Sequence, residues 1–197
     1  FTAAEYGDLH TLAKIGPSIS RRQDDFGYPP LHLAAQHNHV AATALLLQLG
    51  CHVDGVVITS NDASTFCGAT PLHRAAFAGA ASAMKILLDW NKDHDAEEDP
   101  DVASVRSKRC NLLLADTSFG DNATPLHKAA AGGRFTAVHI LLEALEYRDH
   151  LASARGSLGQ ESSPSLLQRA LMARDKQGRT PLEIARYYVT SQDTERQ

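Results

Sequence analysis

Four segments of this chain repeat one seven-residue pattern, and that repetition constrains the fold more than any other feature of the sequence. Each segment begins with Thr-Pro or Pro-Pro, continues with Leu, and ends on a pair that includes Ala; the four begin at Pro29, Thr70, Thr124 and Thr180. A unit that recurs along a chain buries its apolar face against its neighbours, so the pattern predicts a solenoid. Because a solenoid offers an extended surface, the pattern also favours a binding protein over an enzyme with a catalytic pocket.

The residues of each segment are suited to begin a helix. Thr is a good N-cap, because its hydroxyl can accept a hydrogen bond from a free amide of the first turn. Pro fits the next position, where its fixed φ is helical and its missing N–H is no loss. A second apolar segment follows each of the first three motifs and ends in consecutive aliphatic residues, at 45–47, 86–88 and 140–142. We therefore expect a pair of helices in each of these units.

This order of turn, T-P-L-H-x-A-A helix and second helix ending in Leu-Leu resembles the ankyrin repeat. The resemblance is strong in three units, which start near Asp24, Phe66 and Phe119, and partial at both ends of the chain. It implies an all-α fold: an ankyrin-repeat solenoid of about five helix-turn-helix units, the outer two incomplete, with long inter-repeat loops. The whole chain, 1–197, is expected to form one domain.

The spacing of the motifs shows where extra residues lie. Successive motif prolines, from Pro30 to Pro71, Pro125 and Pro181, are 41, 54 and 56 residues apart, whereas one ankyrin unit has about 33 residues. We divide the chain into a partial repeat (1–23), repeats (24–51, 66–90 and 116–151, the last with an extended second helix), a capping repeat (175–197), and three inserts (52–65, the charged segment 91–115, and 152–174). A short helix in the third insert is expected to pack back on the stack or, as the alternative, to dock another protein.

Three departures from the pattern matter. Pro29 stands where a capping Thr is expected, which should cost this helix roughly 1 kcal/mol of capping. Asn122 replaces a turn Gly, and Asn is one of the few residues that tolerate a positive φ. In the last unit Glu183 and Arg186 replace His and the second Ala, and charges there suit an end cap with a solvated outer face.

Composition narrows the class of function. A formal net charge of −4 argues against a general nucleic-acid or membrane-surface binder, which would be basic. None of the three cysteines sits in a C-x-x-C pair, which indicates a reducing compartment. The sequence shows no membrane-spanning run and no signal peptide, so we expect an intracellular protein of the cytoplasm or nucleus, with an organelle as the alternative. Because the chain begins at Phe1, missing targeting signals carry little weight.

Catalytic, cofactor and metal sites are not expected. The sequence contains neither G-x-S-x-G nor the phosphate-binding G-x-x-x-x-G-K-[ST]. Of the ten histidines, His32, His73 and His127 share one repeat position. For these three, a hydrogen bond to the backbone of the adjacent turn is favoured over a metal. The acidic segment 93–101 lacks the sixth-position Gly of an EF-hand loop.

The resemblance also implies a binding surface. In ankyrin repeats the concave face is built from the turn tips and the exposed side of the first helix of each unit. Carried over by position, the residues expected to contact a partner are Tyr6, Phe26, Tyr28, Gln36, His37, Phe66, Phe77, Lys176 and Arg179. Aromatic anchors dominate protein interfaces, so the five rings matter most. For Phe66 and Phe77, packing between repeats is an equal alternative.

Taken together, these features indicate a non-catalytic protein-interaction module or scaffold that binds another protein on its concave face and long finger loops. Two alternatives stay open at this point: a structural subunit of a large assembly, and the regulatory ankyrin domain of a larger enzyme or channel. No nucleic-acid partner and no membrane insertion are expected.

Overall fold

The computed structural model describes residues 1–25, 27–53, 69–94, 113, 121–154 and 164–194. These ranges contain α-helices and one 3-10 helix, and no residue within them forms a β-strand. In chain order the helices are α1 (Thr2–Tyr6), α2 (Leu9–Ile15), the 3-10 helix (Gly16–Arg21), α3 (Pro30–Gln36), α4 (Val40–Gln48), α5 (Pro71–Ala78), α6 (Ala81–His94), α7 (Pro125–Ala131), α8 (Phe135–Ala154), α9 (Leu166–Met172) and α10 (Pro181–Thr194). The all-α expectation is confirmed for the described part of the chain.

The helices are arranged in two rows. The helices that carry the motifs contact one another in the order α1, α3, α5, α7, α10, and form the inner row. The second helices contact one another in the order α2, α4, α6, α8, and form the outer row. Each inner helix from α1 to α7 also contacts the outer helix that follows it in the chain. The chain therefore stacks as helix pairs, one unit on the next.

The motif leucines hold this stack together. Leu31, Leu72 and Leu126, at one position in successive units, are at most 3% exposed. The Ala pairs that follow them are buried too, and their small side chains let neighbouring inner helices approach closely. Full burial of each Leu contributes about 1.5–3 kcal/mol. Because the leucines lie between units, this energy is gained only when the units stack.

The third insert adds a helix to the outer row. α9 packs against α8 and also contacts α10, so it extends that row at the last unit although it precedes α10 in the chain. The backbone N–H groups of Leu166 and Leu167 donate to the carboxylate of Asp149 on α8, at 2.8 and 3.0 Å. Asp149 thereby caps the first turn of a helix that is distant in sequence.

Little of the other inserts is described. From the segment 91–115 the structure describes α6 as far as His94, and beyond it Leu113, whose side chain is buried in the hydrophobic core. Most of the acidic segment 93–101 lies outside the described residues, as does most of the insert 52–65. Leu113 shows that at least one point of the charged insert contacts the stack.

Three histidines at one repeat position join each unit to the next. Their Nε2 atoms lie 2.7, 3.0 and 3.1 Å from a backbone carbonyl oxygen in the turn that precedes the next motif; the pairs are His32–Ala69, His73–Ala123 and His127–Arg179. All three rings are buried. The expected hydrogen bond to the adjacent turn is confirmed.

Two of these rings, those of His73 and His127, also cap their own helices. Nδ1 of His73 accepts from the backbone N–H of Thr70 at 3.0 Å, and Nδ1 of His127 accepts from that of Thr124 at 3.1 Å. An imidazole that accepts at Nδ1 and donates at Nε2 must be neutral. In α5 and α7, the cap of the helix and its link to the next unit therefore depend on one protonation state.

The departures from the pattern have different outcomes. Pro29 makes no side-chain cap, as expected, because it has neither a hydroxyl nor an N–H. Asn122 adopts φ 49°, which confirms that Asn serves this turn. At the last unit the Thr180 N–H donates to the exposed carboxylate of Glu183 at 2.7 Å. Leu182 is 60% exposed there, so this solvated end also presents an apolar side chain.

We expect Pro29→Thr to raise the free energy of unfolding by up to about 1 kcal/mol, because Thr supplies the capping hydroxyl and the N–H that Pro lacks. Denaturant unfolding at neutral pH measures the change. Pro29→Ala is the matched control, since it restores the N–H without the hydroxyl. A Thr variant no more stable than the Ala variant would contradict the assigned role of the cap.

Stability should fall on acidification. Burial lowers the pKa of His32 from 6.5 to about 4, and burial also lowers the pKa of His127. Between about pH 4 and pH 6.5 the His32 ring is neutral in the folded chain and protonated in the unfolded chain. Since the unfolded chain then binds more protons, the free energy of unfolding decreases as pH falls below about 6.5. For His32 the loss approaches roughly 3 kcal/mol near pH 4.

Denaturant unfolding at a series of pH values between about 7 and 5 tests this linkage. His32→Gln keeps a donor for the Ala69 carbonyl but does not titrate, so its stability should depend less on pH. A wild-type stability that stays constant or rises as pH falls through this window would contradict the buried neutral state.

Candidate functional site

The candidate binding surface is the side of the inner row that carries the turn tips and the C-terminal ends of the inner helices, here called the first-helix face. At these ends Tyr6 of α1 is 76% exposed and Phe77 of α5 is 54% exposed. His37, just after α3, is also exposed, while Gln36 is half-buried. Phe77 therefore presents much of its ring to solvent and does not pack fully between repeats.

The other expected contact residues have different surroundings. Lys176 is exposed in the last turn. The guanidinium of Arg179 donates to the Asp175 carboxylate at 2.7 and 2.9 Å, so its charge is already compensated. Asp175 is buried, and bonds from Arg179 lower its pKa although burial opposes this. Phe26 and Phe66 lie outside the described residues.

Arg74 forms a bridge across two units that the sequence did not indicate. Its Nη1 donates to Oε1 of Gln36 at 2.8 Å, and its Cζ lies 4.2 Å from the centroid of the Tyr28 ring. Tyr28 also lies against His32, with 5.0 Å between ring centroids. Arg74 occupies the place that Leu33 fills in the preceding unit, and this change from Leu to Arg was the available signal.

Arg134 borders the same surface from the next unit. Its Nε donates to the backbone carbonyl of Phe77 at 3.3 Å. Its aliphatic stem lies against two glycines: a methyl group added at Gly79 would be 2.8 Å from Cδ of Arg134, and one at Gly132 would be 3.2 Å from its Cγ. His39 holds the equivalent position after α3, and its Nε2 lies 2.7 Å from the carbonyl oxygen of Glu5 in α1. The position thus caps the C-terminal end of the preceding inner helix.

These contacts bring two guanidinium groups near the part of α5 that carries the exposed ring of Phe77. Arg74 is three residues before Phe77 on α5, which puts the two side chains on one side of that helix. Arg134 approaches Phe77 from the following unit, at its backbone carbonyl. Within the described ranges neither arginine has a carboxylate partner. By contrast, Lys128 is paired with Asp121, as Arg179 is with Asp175.

The described residues offer little for catalysis or metal binding. They include no group of three or more His, Cys, Asp or Glu side chains that could hold a metal ion. Cys51 is buried, and burial raises the pKa of its thiol to about 12, which leaves it unreactive at neutral pH. A groove of about 360 Å³ lies in the outer row between α6 and α8, with Leu88 and Ile140 among its lining residues.

The family of the chain follows from the stacked helix pairs together with one comparison. A family model described as ankyrin repeats, three copies, matches residues 1–98. This chain is an ankyrin-repeat protein. Ankyrin repeats are generally protein–protein interaction modules and are typically non-catalytic, so this ankyrin-repeat protein has another protein as its class of partner. In the part of the chain that the structure describes, no helix has the length and apolar character needed to cross a bilayer.

Gly132→Ala should lower the free energy of unfolding by about 1–3 kcal/mol. The backbone φ of −82° at Gly132 suits Ala, but the added methyl group would lie 2.5 Å from the Phe77 carbonyl oxygen. Denaturant unfolding measures the loss. Ala131→Ser, at the exposed neighbouring position, should change stability by less than about 0.5 kcal/mol. Equal stability of the two variants would contradict the close approach of α5 and α7 at this junction.

Proposed function

We propose that this chain is a non-catalytic protein-binding module or scaffold that holds its partner on the first-helix face, with the long inter-repeat loops contributing at the edge. The observation that carries the proposal is the set of large exposed rings on the inner helices α1, α5 and α10. Tyr6 and Phe77 belong to it, and so does Tyr187, 74% exposed at the position in the last unit that Phe77 holds in its own. None of these three side chains belongs to an outer helix.

The energetics support this surface. An exposed aromatic ring gains free energy when a partner covers it, and Tyr and other aromatic residues are enriched among the few side chains that dominate binding. Because Tyr6, Phe77 and Tyr187 extend from inner helices that contact one another in a row, one partner segment lying along the row can reach more than one of them. The stack supplies rigid spacing, which lowers the entropy lost on binding.

The residues of the proposed contact surface are expected to contribute different amounts to the binding free energy. Tyr28, Gln36 and His37 lie beside Phe77 in the neighbouring unit, and Lys176 and Arg179 lie in the last turn. Phe26 and Phe66 are included only by their repeat position. We assign the leading role to Tyr6 and Phe77, because their exposed area is large.

A structural subunit of a larger assembly is the second candidate. It is favoured by Leu182, which is 60% exposed, whereas the leucines at this position in three other units are at most 3% exposed. Val189, one helical stripe along α10, is exposed as well. An apolar end of this kind is suited to contact with a neighbouring subunit, whereas the exposed rings of the inner row are suited to a segment of a partner.

The test is capture of partners by the immobilised chain from cells that express it, with crosslinking and mass spectrometry to identify the proteins held. The double variant Tyr6→Ala/Phe77→Ala should lose at least about tenfold of the captured partner, since each ring is worth more than about 1 kcal/mol. Its helical circular-dichroism signal should be unchanged, because both rings are largely in solvent.

Tyr147→Ala is the matched control, because Tyr147 is an exposed ring on the outer helix α8. It should retain the partner. Capture that survives in the inner-row variant and is lost in the Tyr147 variant would place the site on the outer row. Crosslinks confined to α9 and α10 would instead favour the structural subunit.

A further inference from the structure

We propose that the first-helix face selects an acidic segment of its partner, in which carboxylates on both sides of an apolar side chain bind Arg74 and Arg134 while that side chain packs on Phe77. The inference rests on the proposed function and specifies the chemistry of the partner. It is drawn from the charges and contacts around Phe77.

The guanidinium group of Arg74 is preorganised to bind a carboxylate. A guanidinium has five N–H donors in a fixed plane. One donates to Gln36, and the Tyr28 ring covers one side of the group at 4.2 Å. The other donors have no acceptor among the described residues. Because Tyr28 and Gln36 fix the group, little side-chain freedom is lost when a carboxylate accepts from its remaining donors.

Arg134, from the following unit, is held in a comparable way at the carbonyl of Phe77. The main chain at Gly79 and Gly132 confines its stem, and its Nε is used by the Phe77 carbonyl. Its terminal amino groups have no described partner, and the side chain is exposed. His39, in the equivalent position, makes the same backbone contact without a permanent charge. The backbone contact therefore does not require arginine at this position, and the additional charge is available for a ligand.

The surrounding charges favour an acidic protein segment. Nearby cations of the inner row, at Lys128 and Arg179, are neutralised by Asp121 and Asp175. Arg74 and Arg134 have no carboxylate partner among the described residues, and both approach the part of α5 that carries Phe77. A nucleic-acid site neutralises many phosphates, whereas the net charge of this chain is −4. Two guanidinium groups near one exposed ring suit a partner segment with carboxylates close to an apolar residue.

Selection of short random peptides displayed on phage against the immobilised chain tests the proposal. We expect enriched peptides to contain Asp and Glu above their frequency in the starting library, placed on both sides of an aliphatic or aromatic residue. Selection against Arg74→Met/Arg134→Met should lose this acidic excess. Lys85→Met, which removes an exposed cation from the outer helix of the same unit, should retain it.

An enriched peptide then gives the affinity. Replacing either flanking acid by its amide should weaken binding to the wild-type chain about tenfold, the effect of losing one charge-assisted hydrogen bond. The same replacement should have no effect on binding to the variant that lacks the facing arginine. Arg74→Lys should recover only part of the affinity, because an ammonium group cannot bind a carboxylate through two parallel donors. Thermal melting of each variant checks that the fold is intact.

The outcomes separate this inference from the proposed function. Two outcomes overturn the acidic selectivity and leave the binding face in place. In the first, the peptides depend on Phe77 but show no acidic excess. In the second, the acidic excess is kept in selection against the double-arginine variant. Failure to enrich any peptide that is lost on Phe77→Ala also overturns the acidic selectivity. The proposed function fails separately, if the captured native partner is retained by Tyr6→Ala/Phe77→Ala.

Discussion

Burial of one leucine per unit between adjacent inner helices is the interaction on which the rest of the structure depends. Leu31, Leu72 and Leu126 are each at most 3% exposed in the stack, whereas Leu182 of the last motif is 60% exposed, so a helix pair alone does not hide its own apolar surface. The alanine pairs allow the close approach that this burial requires. Once the inner helices lie side by side, their exposed ends fall into a row, and the first-helix face is a consequence of the packing rather than a separate design.

The polar contacts between units follow the same logic. Stacking buries carbonyl groups in the turns, and a buried carbonyl without a donor would be costly. The neutral rings of His32, His73 and His127 supply that donor. A hydrocarbon side chain there would pack but would leave the turn unsatisfied, and a lysine would bring a buried charge. Imidazole is suited to the position because it is flat, uncharged when buried, and able to bond in two directions.

Much of the stack could be predicted from the sequence because its determinants are local and repeated. The capping Thr, the motif Leu and the shared His each recur at a fixed offset, so one physical argument covers every unit. Residues whose contacts do not recur from unit to unit are harder to predict. Arg74 reaches Tyr28, 46 positions earlier in the chain, and no periodic pattern shows that pairing. Asp149 caps α9 only because an insert returns to the outer row. Leu182 keeps the motif but is 60% exposed, so an identical residue has the opposite environment.

The direction of the histidine contacts bears on how the chain is completed during synthesis. Each ring bonds to a carbonyl that lies 37, 50 or 52 residues further toward the C-terminus. A ribosome makes the ring first and its acceptor later, so a newly emerged unit has its leucine and imidazole in place before either can be covered. The inserts lengthen that interval beyond the roughly 33 residues of an uninterrupted repeat. Stacking must therefore lag translation by one unit. The helix pair that emerged last always has its leucine and imidazole exposed to solvent.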